Sequence, residues 1–233
     1  MREQFIRQTM ILGNDALDRL QNSHVAVFGI GGVGSFCAEA LARAGVGSLT
    51  LVDDDTVAPS NLNRQLIALH STIGRPKVEV MAERIRDINP ECRINAMFLR
   101  YEEDTKEQFF SLGFDYIADA IDSVSAKLSL IETAIRRSVP IISSMGTGNK
   151  LDPTQFAITD LYQTSGCPLA RVMRRELKKR GVFQHTVLYS PEQPRRPDEA
   201  LQETKRPVPG SVSWVPSCAG LMIAGHIIRA LIQ

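Results

Sequence analysis

The stretch HVAVFGIGGVGSFCAEALARAGVGSLTLVD, residues 24–53, decides the fold of this chain. Its first part, HVAVFGI, is a short apolar run with several β-branched residues, which is typical of a buried parallel strand. The glycine-rich turn GIGGVGS follows, and residues 36–44 have the pattern of a helix that Gly45 and Gly47 end. SLTLVD, residues 48–53, is the next strand. The stretch therefore predicts a β–α–β unit with a glycine turn after its first strand.

Strands and helices continue to alternate as far as residue 145. The pattern predicts further strands at 93–99, 114–121 and 139–145, and helices at 75–88, 106–112 and 125–137. Such alternation is typical of α/β proteins whose sheet is doubly wound and mostly parallel. We therefore expect a Rossmann-like sheet with helices on both faces.

The character of the chain changes after Gly148. The pattern predicts an antiparallel addition to the sheet at 155–162, a strongly basic helix at 167–180, a strand at 185–190 and a buried helix at 216–232. Residues 191–210 carry five prolines and many charges, which predicts a mobile loop. We expect one domain over 1–233, with a nucleotide-binding core at 1–148 and a substrate-facing extension at 149–233.

The composition is typical of a soluble protein of the reducing cytoplasm. The formal net charge is +1, and 43% of the residues are hydrophobic. The four cysteines form no CxxC pair, which argues against a disulfide framework and a structural zinc site. The polar N-terminal sequence is unlike a signal peptide, and His226 and Arg229 interrupt the apolar stretch 219–232. We therefore expect a cytoplasmic protein without a membrane partner.

The glycine turn predicts a phosphate-binding site, but it does not decide which phosphate is bound. Gly29, Gly31 and Gly34 fit the dinucleotide-binding pattern, and Asp53 ends the second strand, where an acid accepts hydrogen bonds from a ribose. These features alone favour an NAD enzyme. Gly32 makes the turn unusually open.

The residues beyond the second strand favour a triphosphate. Arg64 offers forked donors to phosphate oxygens, and Lys77 adds a positive charge at the start of a helix. Asp122 follows the fourth strand, at the sheet edge where ligands of open α/β sheets bind. A carboxylate there suits a magnesium ion beside the phosphates.

Seven motifs together resemble the ATP-dependent adenylating family, which includes ubiquitin-activating enzymes and ThiF-like activators of sulfur-carrier proteins. They are IRQ, GIGGVG, LVDDDTV, SNLNRQ, GRPKVE, DINP and DAIDS, in the family's order. The resemblance implies that Gly32 lies in the phosphate turn and Asp53 holds the ribose. It also implies that Asn61, Arg64 and Lys77 contact the triphosphate, that Asp122 binds Mg²⁺, and that Arg7 reaches into the partner's site of a homodimer. Asp55 is placed with the nucleotide-binding residues; a solvated loop acid is the alternative for Asp54 and Asp55.

The stretch GTGNKLDPTQFAITDLYQTSGCPLARVMRRELKKRG, residues 146–181, resembles the tRNA threonylcarbamoyladenosine dehydratases. This resemblance implies a tRNA substrate with threonylcarbamoyladenosine beside its anticodon. It also implies that ATP activates the threonyl carboxylate, and that an internal nitrogen then closes a ring as AMP leaves. The helix within this stretch adds an independent argument, because four of its cations share one face and suit an RNA backbone. They are Arg171, Arg174, Arg175 and Lys178. A solvated helix face is the alternative.

Three other functions remain open at this point. The first is adenylation of the C-terminus of a small ubiquitin-like or sulfur-carrier protein, which could use Cys218 as a relay thiol. The second is an NAD-dependent oxidoreductase, which Arg64 and Lys77 disfavour. The third is an inactive scaffold, which the complete set of phosphate-contacting residues disfavours. A sulfur-transfer protein is a further candidate partner. Cys167 and Cys218 are more often buried structural cysteines than catalytic ones.

Overall fold

A computed structural model describes residues 3–196 and 209–233 of the chain. Its centre is a seven-stranded sheet with the order β3-β2-β1-β4-β5-β7-β6. The strands are β1 His24–Phe28, β2 Ser48–Val52, β3 Arg93–Met97, β4 Tyr116–Asp119, β5 Ile141–Ser144, β6 Ala157–Asp160 and β7 Thr186–Tyr189. Neighbouring strands are parallel, apart from the antiparallel pair β6–β7. The predicted doubly wound sheet with an antiparallel extension is confirmed.

Eight α-helices accompany this sheet in the described residues. They are α1 Ile6–Leu12, α2 Asn14–Gln21, α3 Gly34–Arg43, α4 Lys77–Ile88, α5 Lys106–Phe110, α6 Val124–Arg136, α7 Pro168–Lys179 and α8 Trp214–Leu231. Residues of β1 point alternately to the two faces of the sheet. Val25 and Val27 belong to a core with α3, α4 and α8, whereas Ala26 and Phe28 belong to a core with α5, α6 and α7. Burial on both faces explains why β1 is almost continuously apolar in sequence.

Helices α1 and α2 were not predicted from the sequence. In α1, Met10 and Ile11 are 78% and 84% exposed, so this helix lacks the apolar periodicity of a core-facing helix. In α2, Leu17 and Leu20 are buried, and this amphipathic pattern is short. Helix α8 begins at Trp214, two residues before the predicted start at Pro216.

Helix α8 is the one described helix that is long and apolar enough to cross a membrane, with a mean hydropathy of 1.3. Its apolar face is buried inside the protein. Val215, Ala219, Ile223 and Ile227 all belong to the core that includes α3 and α4. The apolar character of α8 is therefore explained by its packing in the core on one face of the sheet.

The glycine turn brings three backbone segments into contact. Gly29 has φ +88°, and a Cβ added there would lie 2.6 Å from the carbonyl oxygen of Ala120. A Cβ added at Gly34 would lie 1.7 Å from the carbonyl oxygen of Gly29. Since real Cβ atoms do not approach oxygen this closely, only glycine permits α3 to start against the end of β1.

This contact predicts that Gly34→Ala destabilises the fold. The free energy of unfolding should fall by about 3 kcal/mol or more, because overpacking against backbone outweighs the roughly 1 kcal/mol that alanine contributes in a helix. Gly31→Ala is the matched control, since an added Cβ there meets its nearest described neighbour, Nε2 of Gln65, at 3.8 Å. Urea denaturation measures both variants, and equal stability of Gly34→Ala and Gly31→Ala would contradict this packing argument.

Candidate active site

A cavity of about 470 Å³ opens at the carboxyl ends of the parallel strands. This is the edge where ligands of open α/β sheets bind. Nine of the residues that the sequence singled out line the cavity. They are Gly29, Gly31, Gly32, Asp53, Asp55, Asn61, Arg64, Lys77 and Asp122. Gly34 lies behind the turn, where it permits the packing of α3. The fold thus brings into one cavity residues that are up to 93 positions apart in the sequence.

The glycine turn leaves open space for a ligand on the cavity side. An added Cβ at Gly31 would point toward Gln65 without a close contact. At Gly32 an added Cβ would lie 3.1 Å from Cβ of Pro216 and 3.6 Å from Cγ of Arg64. A side chain at either position would occupy the space through which a phosphate group could approach the backbone of the turn. Gly32 therefore lies where the turn, Arg64 and the start of α8 meet.

Asp53 ties the glycine turn to the end of β2. Its Oδ2 accepts a hydrogen bond from the N–H of Ile30 at 2.6 Å, and its Oδ1 accepts one from the N–H of Asp55 at 2.9 Å. Burial raises the pKa of this carboxyl, although the charge of Lys77 acts in the opposite direction. Asp53 has a structural role in the turn, and its remaining lone pairs are available to ribose hydroxyls.

Lys77 brings a positive charge to the cavity from the start of α4. It is only 5% exposed, and its Nζ donates to Oδ2 of Asp55 at 2.7 Å. The same Nζ lies 3.8 Å from Oδ1 of Asp53. An ammonium has three donors, so Lys77 can keep the bond to Asp55 and still contact a phosphate oxygen. Asp55 therefore orients Lys77. This contact distinguishes it from a loop acid that is only solvated.

Asn61 and Arg64 are held by the short turn that follows β2. Asn61 lines the cavity and its Oδ1 accepts the N–H of Ala58 at 3.1 Å, so the NH₂ group is the part of this side chain that can donate to a ligand. Nη1 of Arg64 donates to the carbonyl of Ser60 at 2.8 Å and to Oδ1 of Asn63 at 2.9 Å. Burial lowers the pKa of Arg64, yet a guanidinium stays charged at neutral pH. Among the described residues no carboxylate lies within ion-pair distance of Arg64, so its charge is available to an anion.

Asp122 lies on the loop between β4 and α6, and its side chain is exposed to the cavity. A buried ion pair fixes this loop, because Nζ of Lys127 donates to Oδ2 of Asp119 at 2.8 Å. Oδ1 of Asp119 accepts the N–H of Ile121 at 3.1 Å. An accessible carboxylate on a rigid loop suits Mg²⁺, which takes oxygen ligands and keeps several waters.

A second group of acids lies in the same cavity. Carboxylate oxygens of Asp53, Asp54 and Asp55 lie within 4.8 Å of one another. Asp53 already accepts two backbone hydrogen bonds, and Asp55 is paired with Lys77. We therefore assign no cation to this group, and Asp122 is the better candidate for a metal ligand.

Several lining residues were not assigned to the site from the sequence, and three of them are polar residues beside the glycine turn or after β3. Gln65 is buried, and in the described part of the chain its Oε1 has no hydrogen-bond partner. An orphan acceptor at a cavity wall suits a ligand that carries a donor, as an adenosine does. Arg100 and Tyr101 follow β3 and reach the same edge. The rule that ligands lie beyond the carboxyl ends of strands could have identified both.

Arg7 and the cations of α7 lie outside this cavity. Arg7 is on α1 and is exposed. On α7, Arg171, Arg175 and Lys178 are exposed, whereas Arg174 is half-buried and Nη1 of its guanidinium donates to the carbonyl of Thr164 at 2.8 Å. The predicted basic face is therefore accessible at three of its four positions.

The sequence of the chain matches the ThiF family over residues 5–233, which include every residue that lines the cavity. This chain belongs to the ThiF family. The tRNA threonylcarbamoyladenosine dehydratase of Bacillus subtilis is 47% identical over 245 aligned residues, which cover 100% of this chain and 96% of that protein. The Escherichia coli enzyme of the same name is 46% identical over 177 residues, 76% of this chain and 66% of that protein.

A solved structure has the same fold over almost its whole length. The E. coli tRNA N6-threonylcarbamoyladenosine dehydratase in complex with ATP matches with a TM-score of 0.91 and 37% identity. The match covers 99% of this chain and 94% of that one. The family and the fold predicted from the sequence are both confirmed.

The charges of the cavity predict a preference for ATP over NAD. Saturating ATP with Mg²⁺ should raise the melting temperature by roughly 5–10 °C, since about 100-fold excess over Kd adds about 2.7 kcal/mol to the stability of the native state. Arg64→Ala should lose most of this shift, and Arg86→Ala, an exposed cation on α4, should keep it. Thermal melts with each nucleotide test this, and an equal shift with NAD would contradict it.

Proposed function

We propose that this protein is an ATP-dependent tRNA threonylcarbamoyladenosine dehydratase, which acts as one domain in the cytoplasm. The observation that carries the proposal is the cavity at the sheet edge. It combines a glycine turn, the acid at the end of β2, two cations and an accessible carboxylate in a chain that is similar over its whole length to a dehydratase of this name. ATP is a co-substrate of the reaction.

The reaction has two steps, and their atoms balance. A carboxylate oxygen of the threonyl group attacks the α-phosphorus of ATP, which forms an acyl adenylate and releases pyrophosphate. An internal nitrogen of the modified nucleoside then attacks the acyl carbon, its proton is lost, and AMP leaves with the attacking oxygen. The net change in the nucleoside is the loss of one water. Since the nucleophile is internal, neither the buried Cys167 nor the half-buried Cys218 is required.

The residues of the cavity have separate roles in these steps. Arg64 and Lys77 stabilise the negative charge that moves onto the phosphates in the first transition state. Asp53 accepts hydrogen bonds from the ribose, and Asn61 donates to a phosphate oxygen. Asp122 would hold Mg²⁺, which when bound neutralises the triphosphate and orients it. Adenylation of a carrier protein would use the same residues, and the basic face of α7 favours RNA as the acceptor.

The proposed reaction can be tested with tRNA from a strain that lacks this activity. Incubation with ATP and Mg²⁺ should convert threonylcarbamoyladenosine to a product lighter by one water, which nucleoside mass spectrometry detects. Asp122→Ala should reduce the rate by about 100-fold or more. Asp87→Ala, an exposed acid on α4, is the control and should be fully active. Unchanged nucleoside after reaction with the wild type would contradict the proposal.

Two copies of the chain would complete the site. Both α1 and α8 carry exposed apolar residues, including Met10, Ile11 and Leu221, and Gln8 of α1 lines one surface pocket with Leu221 of α8. Such a patch is typical of a protein interface. Arg7 lies on α1 and could then reach the cavity of the partner subunit. In this homodimer, a mixture of Arg7→Ala and Asp122→Ala chains should recover activity that neither variant has alone.

The accessible cations of α7 provide the surface for tRNA. Glu176 pairs with Arg175 and Lys179, whereas Arg171 and Lys178 have no ion-pair partner among the described residues. Arg195 and Arg196 are also exposed, and Lys205 and Arg206 of the predicted mobile loop lie outside the described residues. The electrostatic part of tRNA affinity should therefore depend on this face.

Arg171→Ala/Arg175→Ala should weaken tRNA binding and leave ATP binding unchanged. The slope of log affinity against log salt should become shallower by roughly 0.7–0.9 for each phosphate contact that is lost. Arg84→Ala/Arg86→Ala on α4 is the matched control. The affinity for tRNA is measured for each variant across a salt series. If the plots of log affinity against log salt coincide for the wild type and the α7 variant, α7 is not part of the tRNA-binding surface.

A further inference from the structure

Asn149 joins two segments of the chain that are far apart in sequence. It has φ +59°, a left-handed conformation that asparagine tolerates better than most residues. Its carbonyl accepts the N–H of Arg195 at 2.8 Å. Its Oδ1 accepts the N–H of Gly210 at 2.6 Å, and its own N–H donates to the carbonyl of Gly210 at 2.7 Å. One residue therefore holds both Arg195 and Gly210.

The neighbours of this junction reach the cavity. Thr147 lies two residues before Asn149, Ser211 follows Gly210, and both line the cavity wall. The carbonyl of Ser211 accepts a hydrogen bond from Nδ2 of Asn63 at 2.9 Å. Oδ1 of the same Asn63 accepts from Arg64. The wall is therefore connected through one side chain to a cation of the nucleotide site.

A second set of bonds supports the same junction. Lys150 is 3% exposed, and its Nζ donates to the carbonyls of Ser190 and Glu192 at 2.9 and 2.7 Å. The carboxylate of Glu192 accepts the N–H groups of Leu151 and Asp152 at 2.9 and 3.1 Å. Residues 149–152 and 190–195 thus form a fixed support, which includes the first part of the predicted mobile loop.

Thr147 lies on the side of the cavity away from the proposed ribose site. Asp53 and Arg100 follow β2 and β3, whereas Thr147 follows β5, on the other side of β1 and β4 in the sheet. A nucleotide whose ribose is at Asp53 leaves this other side for the second substrate. Thr147 and Ser211 offer hydroxyl groups, which can donate to and accept from the polar groups of a modified nucleoside.

We propose that Asn149 is a positioning residue for the RNA substrate, which places Thr147 and Ser211 against the modified nucleoside. This inference rests on the proposed dehydratase function. Asn63, on the nucleotide side, bonds the backbone carbonyl of Ser211 and not the side chain of Asn149, so loss of the Asn149 side chain should affect the RNA substrate and leave ATP binding intact.

Three variants separate the side-chain acceptor from the backbone conformation. Asn149→Asp keeps an acceptor oxygen and tolerates positive φ, Asn149→Gly keeps only the conformation, and Asn149→Ala keeps neither. KM for tRNA should rise roughly fivefold to tenfold in the Gly and Ala variants, as expected from one lost hydrogen bond, and should stay near wild type in the Asp variant. Kd for ATP, from thermal melts, should be the same in all three.

Asn22→Ala is the control for loss of an asparagine side chain, because Nδ2 of Asn22 donates to the carbonyl of Asp18 and this residue does not line the cavity. A wild-type KM in both Asn149→Gly and Asn149→Ala would overturn the inference, and so would a parallel loss of ATP affinity. If the wild type itself leaves the nucleoside unchanged, the proposed function fails instead. The activity of the wild type thus distinguishes the two failures.

Discussion

The contact between Gly34 and the carbonyl of Gly29 is the constraint on which the rest of the structure depends. With no Cβ at these positions, α3 starts directly against the end of β1, and Gly29 lies against the carbonyl of Ala120. The glycine turn is therefore in direct backbone contact with the loop that carries Asp122. Asp53 completes this arrangement by accepting the N–H of Ile30. The cavity is the space that these close backbone contacts leave at the sheet edge.

The buried charges beside the cavity are paired, because a buried charge without a partner destabilises the native state. Lys127 and Asp119 are both fully buried, and removal of one partner from such a pair typically costs about 3–5 kcal/mol. Burial, together with the charge of Lys127, lowers the pKa of His185 to about 3, so this histidine is neutral. Arg64 and Asp122 instead remain open to the cavity. The fold thus satisfies its buried charges internally and presents the remaining ones to a ligand.

Much of this arrangement could be predicted from the sequence, because strands buried on both faces are largely apolar and the residues proposed to contact phosphate are close to turns. β1, β2 and β4 were identified for the first reason, and Asn61, Arg64 and Lys77 for the second. Helix α1 could not be predicted, since Met10 and Ile11 face away from the core of their own chain. The half-burial of Arg174 depends on Thr164, which the helical periodicity of α7 cannot indicate. The junction at Asn149 depends on contacts across 61 residues of sequence, beyond the reach of any local pattern.

The most direct test of the central claim, that this cavity activates a carboxylate with ATP, follows one oxygen atom. The substrate is tRNA whose threonylcarbamoyl carboxylate is labelled with oxygen-18, and the products are analysed by mass spectrometry after reaction with ATP and Mg²⁺. An acyl adenylate transfers one labelled oxygen to AMP, because AMP leaves with the oxygen that attacked the α-phosphorus. We predict label in AMP and unlabelled pyrophosphate. Label in inorganic phosphate with ADP as the other product, or unlabelled AMP, would contradict the account.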